Sequence, residues 1–174
     1  MFQVGDAVVH PVNGAGIVTQ LQKLGNQHES LQYYRIKIID EQNKTLVMMP
    51  VKQAESLGLR YVIPKIRLKY VWEILRNAPD TLPSDHKMRY SALEEKLDTQ
   101  DALQYAEIVR DLEWRRLQEG HLNIPGKRIY DKALRLLIGE LALSQEIPIQ
   151  EAEAQVKTML AENLSARQSE VAVV

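Results

Sequence analysis

One change of rhythm divides this chain at Pro64. Before it, apolar residues come in short runs or at every second position; after it, they recur at spacings of three and four. The two periods place side chains on different surfaces. Period two puts alternate residues on opposite faces of a strand, and a three–four spacing puts them on one stripe of a helix. Ala7-Val8-Val9-His10 is a short apolar run between Gly5-Asp6 and the turn residues Pro11 and Asn13-Gly14. Ile17-Val18 leads into a polar stretch from Gln20 to Ser30 that contains Gly25-Asn26. From Tyr33 to Ile39 the alternation is clear, with Tyr34, Ile36 and Ile38 on one face and Tyr33, Arg35 and Lys37 on the other. Leu46-Val47-Met48-Met49, stopped by Pro50, reads as a further strand. Several short strands within sixty residues indicate a small β-barrel.

Leu68, Val71, Trp72 and Leu75 form one apolar helix face, and Pro79 disfavours continuing that helix past Asn77. Asp80–Pro83 reads as a linker, with Ser84 or Asp85 as the N-cap of the next helix. Tyr105, Ile108, Val109 and Leu112 repeat the spacing; so do Tyr130, Ala133, Leu134, Leu137, Ile138 and Leu141. Pro148 suits the start of a last helix carrying Ile149, Ala152, Val156, Met159 and Leu160, and the signal fades from Ser165 to Val174. The expected architecture is α+β in two domains. A small N-terminal barrel occupies 1–60, a compact all-α domain of about five helices follows over 61–164, and 165–174 is a frayed tail.

No constellation for catalysis assembles, so the chain does not read as an enzyme, and no cofactor, metal site or small-molecule substrate is expected. Without cysteine there is no thiolate metal site and no thiol nucleophile. The histidines, His10, His28, His86 and His121, are scattered without metal-ligand spacing. Gly14-x-Gly16 lacks a third glycine and reads as a hairpin turn. Glu94-Glu95 and Asp111/Glu113 read as solvated helix faces. Neither a secretory signal nor an apolar run long enough for a bilayer is visible, so a soluble cytoplasmic protein is expected, with no membrane partner. Trp72 falls on a core stripe; Trp114, beside Arg115-Arg116, fits either a seam or an exposed position.

Charge is uneven along the chain. Lys and Arg number 22 against 23 Asp and Glu, a net of −1 over 174 residues. Between Arg110 and Arg135, however, seven positive residues meet four negative ones, and beyond Leu141 the balance is −3. On a helix, Arg128, Lys132 and Arg135 lie opposite the Tyr130–Leu141 stripe, with Lys127 at the start. That face suits phosphate contacts or is an ordinary exposed face; spacing leaves both open. The strand Leu46–Met49, if at a sheet edge, offers backbone groups for strand addition by a partner, with Met48 or Met49 as an adaptable anchor.

Phe2-x-Val4-Gly5-Asp6-x-Val8-Val9-His10-Pro11, Gly14-x-Gly16-x-Val18, Tyr33-Tyr34, Met49-Pro50-Val51 and Gly58-Leu59-Arg60 resemble the CarD family of bacterial transcription regulators. Val109-Arg110-Asp111-Leu112, Gly126-Lys127-Arg128 and Gly139-Glu140-Leu141-Ala142 resemble the helical part of the same family. The N-terminal pattern is also similar to the polymerase-interacting module of transcription-repair coupling factor. The resemblance implies a Tudor-like barrel that docks on the RNA polymerase β subunit, here through Val47, Met48, Met49 and Pro50. It also implies a helical domain that touches promoter DNA at the upstream edge of the bubble and modulates open-complex stability. Lys127, Arg128 and Lys132 fall where the family has basic residues facing the DNA backbone, with Arg135 on the same face. His86, Lys87 and Arg89 are the expected contacts of the second helix. His86 stands where well-studied members carry a wedging Trp, and Met48 where some relatives carry Arg. The alternative is a polymerase-docked adaptor whose helices bind a second protein.

Overall fold

The computed structural model describes residues 1–26, 29–40 and 45–171. His28 lies outside the described residues, as do the last three of the expected tail. The chain divides into two compact units, one of residues 1–65 with 139–149 and the other of 66–138 with 150–174.

The first unit is built on an antiparallel sheet of β1 (Ala7–His10), β2 (Gly14–Asn26), β3 (Glu29–Ile38), β4 (Leu46–Pro50) and β5 (Arg60–Tyr61), in the order β4-β3-β2-β1-β5. Three strands sit where the sequence places them. The polar stretch after Val18 is no loop: β2 and β3 stay paired through it, with Gln20 opposite Arg35, Gln22 opposite Tyr33 and Leu24 opposite Leu31. Both faces of this ribbon meet solvent, so its strands carry no inward apolar set to betray them. Strand β5 is also unmarked in the sequence, being two residues long and paired to Val8 and Val9 of β1.

Inward side chains from β1–β4 join Phe2, Ala54 and Leu59 in one core, so the sheet curls around a single centre. Tyr34 completes it, its ring edge-on to Phe2 and its hydroxyl accepting the Phe2 N–H at 3.0 Å. Gly16 is required by the close approach of β2 and β3: a Cβ there would lie 2.7 Å from the Lys37 carbonyl oxygen. His10 is buried at the β1–β2 turn, where Nδ1 accepts the N–H groups of Val12 and Asn13, both at 3.2 Å. Burial holds its pKa below the ordinary histidine value, which keeps that nitrogen free to accept.

A second fixture of this unit comes from far along the chain. Glu140, buried to 1% side-chain exposure, receives Arg60 in a two-pronged pair at 2.6 and 2.9 Å and the Ile63 N–H at 2.7 Å. Ser144 donates to the Ile63 carbonyl at 2.6 Å, and Lys65 pairs with Glu146 at 2.9 Å. Residues 139–149 thus belong with the strands, an attachment that a division of the chain at residue 60 leaves out.

The helices are α1 (Leu68–Arg76), α2 (His86–Asp98), α3 (Ala102–Glu119), α4 (Ile124–Gln145) and α5 (Ile149–Val171). In the second unit α3 is central, packing against both α1 and α2. Val71, Leu75, Leu93, Ile108, Val109 and Leu112 are buried, as the three–four spacing requires. Trp72 and Trp114 are only half-buried. Asp85 caps α2 by accepting the Met88 N–H at 2.9 Å, and Asp101 caps α3 through Leu103 at 3.0 Å.

Two expectations are corrected in this unit. Asp111 is not on a solvated face: it is buried beside Arg110, which donates to it at 2.7 Å and reaches Asp80 at 2.8 Å. The Asp80 N–H also donates to Asp111 at 3.0 Å, so the pair pins the linker before α2. Burial pushes the Asp111 carboxyl up, against the pull of Arg110. The tail is also more ordered than the fading pattern indicated. Helix α5 runs to Val171, with Leu164 buried, Arg167 bonded to Asn163 at 2.9 Å, and Asn163 donating to the Leu75 carbonyl at 2.8 Å.

Replacing Glu140 by Ala takes from Arg60 its carboxylate partner and from the Ile63 N–H its acceptor. Broken buried ion pairs cost about 3–5 kcal/mol, and Arg60 keeps some water, so a loss of roughly 3 kcal/mol is expected in urea unfolding of the full chain. A loss below 1 kcal/mol would show the pair to be dispensable.

Candidate partner and nucleic-acid interfaces

The first surface is the sheet edge at β4. Its ladder runs to β3 alone, with Met48 opposite Arg35 and Met49 opposite Tyr34, and no strand lies on its other side among the described residues. Alternation separates the four expected contact residues. Met48 is 41% exposed, whereas Met49 is 5% exposed and belongs to the core. Val47 packs against the same core, and Pro50 is half-buried. Met49 is therefore not an anchor; the outward apolar side chains on this strand are Leu46 and Met48, facing Lys37 and Arg35 across the ladder.

The second surface is built by α2 and the start of α4. Asn123 organises the start: its side-chain oxygen accepts the Gly126 N–H at 3.1 Å, and its carbonyl accepts the Lys127 N–H at 2.8 Å. The Tyr90 hydroxyl of α2 donates to that same side-chain oxygen. Gly126 leaves the space for this contact, since a Cβ would sit 3.5 Å from the Tyr90 hydroxyl and 3.1 Å from Asn123 Oδ1. Lys127, Arg128, Lys132 and Arg135 are all exposed beyond this capped turn. Arg128 makes an ion pair with Glu94 of α2 at 3.3 Å.

The structure brings the expected residues together unevenly. His86 and Lys87 are exposed at the start of α2, next to the Asp85 cap, whose carboxyl is held below its ordinary range by the Met88 N–H. Arg89 is a correction: it is buried, and its guanidinium donates to the carbonyls of Pro83 and Ser84 at 2.8 and 3.0 Å. It braces the turn into α2. The positive excess also narrows. Arg110 is buried against Asp80 and Asp111, and Arg115 and Arg116 pair with Glu119 and Glu113 of their own helix, while the α4 cations are all exposed. Spacing alone had no signal for Tyr90 or Asn123, because neither falls on an apolar or basic stripe. Among the described residues no group of three or more His, Asp or Glu is placed to hold a metal, and no helix is long and apolar enough to cross a membrane.

Comparison with known proteins decides the family. Residues 2–63 match the CarD-like/TRCF RID domain, and residues 70–157 match the CarD C-terminal domain. The chain is 34% identical over 158 residues to the Bacillus subtilis (strain 168) protein named "Putative transcription factor YdeB", covering 91% of this chain and 99% of that one. The chain belongs to the CarD family. In this CarD-family protein the β4 edge lies in the RID domain, and the α2/α4 surface lies in the CarD C-terminal domain.

Removing the Tyr90 hydroxyl tests how the second surface is held. Tyr90→Phe deletes one hydrogen bond to the residue that caps α4, and a loss of about 1 kcal/mol in urea unfolding is expected. An unchanged midpoint would mean that Asn123 caps α4 without help from α2.

Proposed function

We propose that this CarD-family transcription regulator docks on the β subunit of RNA polymerase through β4 and contacts promoter DNA near the upstream edge of the bubble through α2 and α4. The observation that carries this reading is the row of exposed cations, Lys127, Arg128, Lys132 and Arg135, beginning at a turn fixed by Asn123 and Tyr90. A rigidly capped turn presents those charges in one geometry, which suits a regular array of phosphates. Contact with upstream DNA by a polymerase-bound factor shifts the lifetime of the open complex. The regulator acts in the cytoplasm, where the bacterial polymerase works.

Docking rests on the edge of β4, whose free backbone groups suit addition of a strand from the partner. Met48 and Leu46 supply an adaptable apolar contact, and Arg35 and Lys37 flank it with charge. On the DNA side His86 is a poorer wedge than an indole, so backbone contacts carry most of the grip. The adaptor reading has one observation in its favour: exposed Met88 borders a shallow groove with Lys87, Ser91, Ala92 and Glu95, a surface suited to a second protein. Crosslinking of the helical domain to promoter DNA separates the two readings.

Met48→Glu places a charge in the apolar contact while leaving the core untouched, and at least a tenfold loss of polymerase retention is expected in a pull-down with the host enzyme. Retention equal to wild type would place docking elsewhere. For DNA, Lys127→Ala with Lys132→Ala should weaken binding and flatten the dependence of log K on log salt by about two, near 0.9 for each phosphate no longer neutralised. Unchanged affinity and slope would return α4 to an ordinary exposed face.

A further inference from the structure

We propose that Glu94 is an internal competitor for phosphate, which by pairing with Arg128 sets how strongly the α4 face holds nucleic-acid backbone. This rests on the reading of that face as a DNA contact and adds what limits its strength. The pair spans two helices at 3.3 Å, with the Arg128 and Glu94 side chains 73% and 52% exposed. An ion pair so open to water contributes little to folding, and both partners stay within reach of a third charge.

The surroundings extend the effect. A cleft of about 320 Å³ between α2 and α4 is lined by Glu94, Leu97, Asp98, Arg128, Ile129 and Lys132. Its α2 side therefore presents two carboxylates, and its α4 side two cations. A phosphate that approaches Arg128 and Lys132 meets Glu94 and Asp98 as well, and must displace Glu94 from the guanidinium. Asp131 adds a further exposed carboxylate on α4 itself. Of these three, Glu94 is the one seated against Arg128 in an ion pair.

Helix stability does not call for acids there. Glu94, Glu95 and Asp98 occupy the last turns of α2, where the helix dipole favours positive charge. Carboxylates at that end cost the helix a little, and what they provide is a counter-charge to the α4 row. A grip attenuated in this way releases DNA readily unless the factor is also held by another contact.

The test is binding of the full-length chain to a 30-base-pair duplex over a salt series, read by fluorescence anisotropy, for wild type, Glu94→Gln, Arg128→Ala, the Glu94→Gln/Arg128→Ala double variant and Lys127→Ala/Lys132→Ala. Glu94→Gln should bind roughly 3–10-fold tighter at low salt and steepen the salt slope by about 0.9, the increment for neutralising one more phosphate. In the double variant that tightening should largely vanish relative to Arg128→Ala, because the competitor acts through Arg128. Binding by Glu94→Gln that is unchanged or weaker overturns the proposal, as does a tightening that persists in full without Arg128. If Glu94→Gln fails while Lys127→Ala/Lys132→Ala still loses affinity, the DNA face stands and only the competitor is wrong. If the lysine variant also binds as wild type does, or no variant binds at all, the DNA face itself fails.

Discussion

The contact on which the first unit depends is a carboxylate at residue 140 bound to a guanidinium and a backbone N–H about eighty residues earlier. Glu140 fills both oxygens with Arg60 and also accepts from Ile63, so the short β5 strand and the segment after it are tied to residues 139–149. Strand β5 has only two residues and, among the described residues, pairs with β1 alone, too little to hold itself. A buried charge is tolerated here because its hydrogen-bonding capacity is met by a forked donor and a backbone group.

Each candidate surface follows from a local rule applied at a particular place. At β4, strand alternation splits adjacent methionines, sending Met49 into the core and Met48 outward at a sheet edge. At α4, a capped first turn fixes the row of cations, and the cap oxygen is shared with a tyrosine from α2. On the proposed reading both are recognition surfaces, one through backbone and apolar contact and one through charge.

The legible parts were those with strong local periodicity: the strand around Tyr34, Ile36 and Ile38, the stripes of α1 and α3, and the Asp85 cap. The illegible parts had either no inward set or partners that only the folded linker supplies. The β2–β3 ribbon is wet on both faces, so its Gln and Lys residues look like a loop. Arg89, Arg110 and Asp111 look like surface charge, yet each is buried because the linker before α2 turns back on it: Pro83 and Ser84 carbonyls meet Arg89, and Asp80 meets the adjacent Arg110–Asp111 pair. Such partners leave no mark on spacing.

Residue order by itself determined that strands precede helices, where most of them lie, and which family the motifs resemble, because alternation and three–four spacing are properties of neighbouring residues. Tertiary structure decided which charges face solvent. Arg110 is buried between Asp111 and Asp80, the latter thirty residues earlier, whereas Arg115 and Arg116 keep partial exposure in pairs with Glu119 and Glu113 of their own helix, and the cations of α4 stand exposed, Arg128 with Glu94 of α2 against it. Whether a charge is available depends on what the fold brings within about 4 Å of it, and distance in space is not written in distance along the chain.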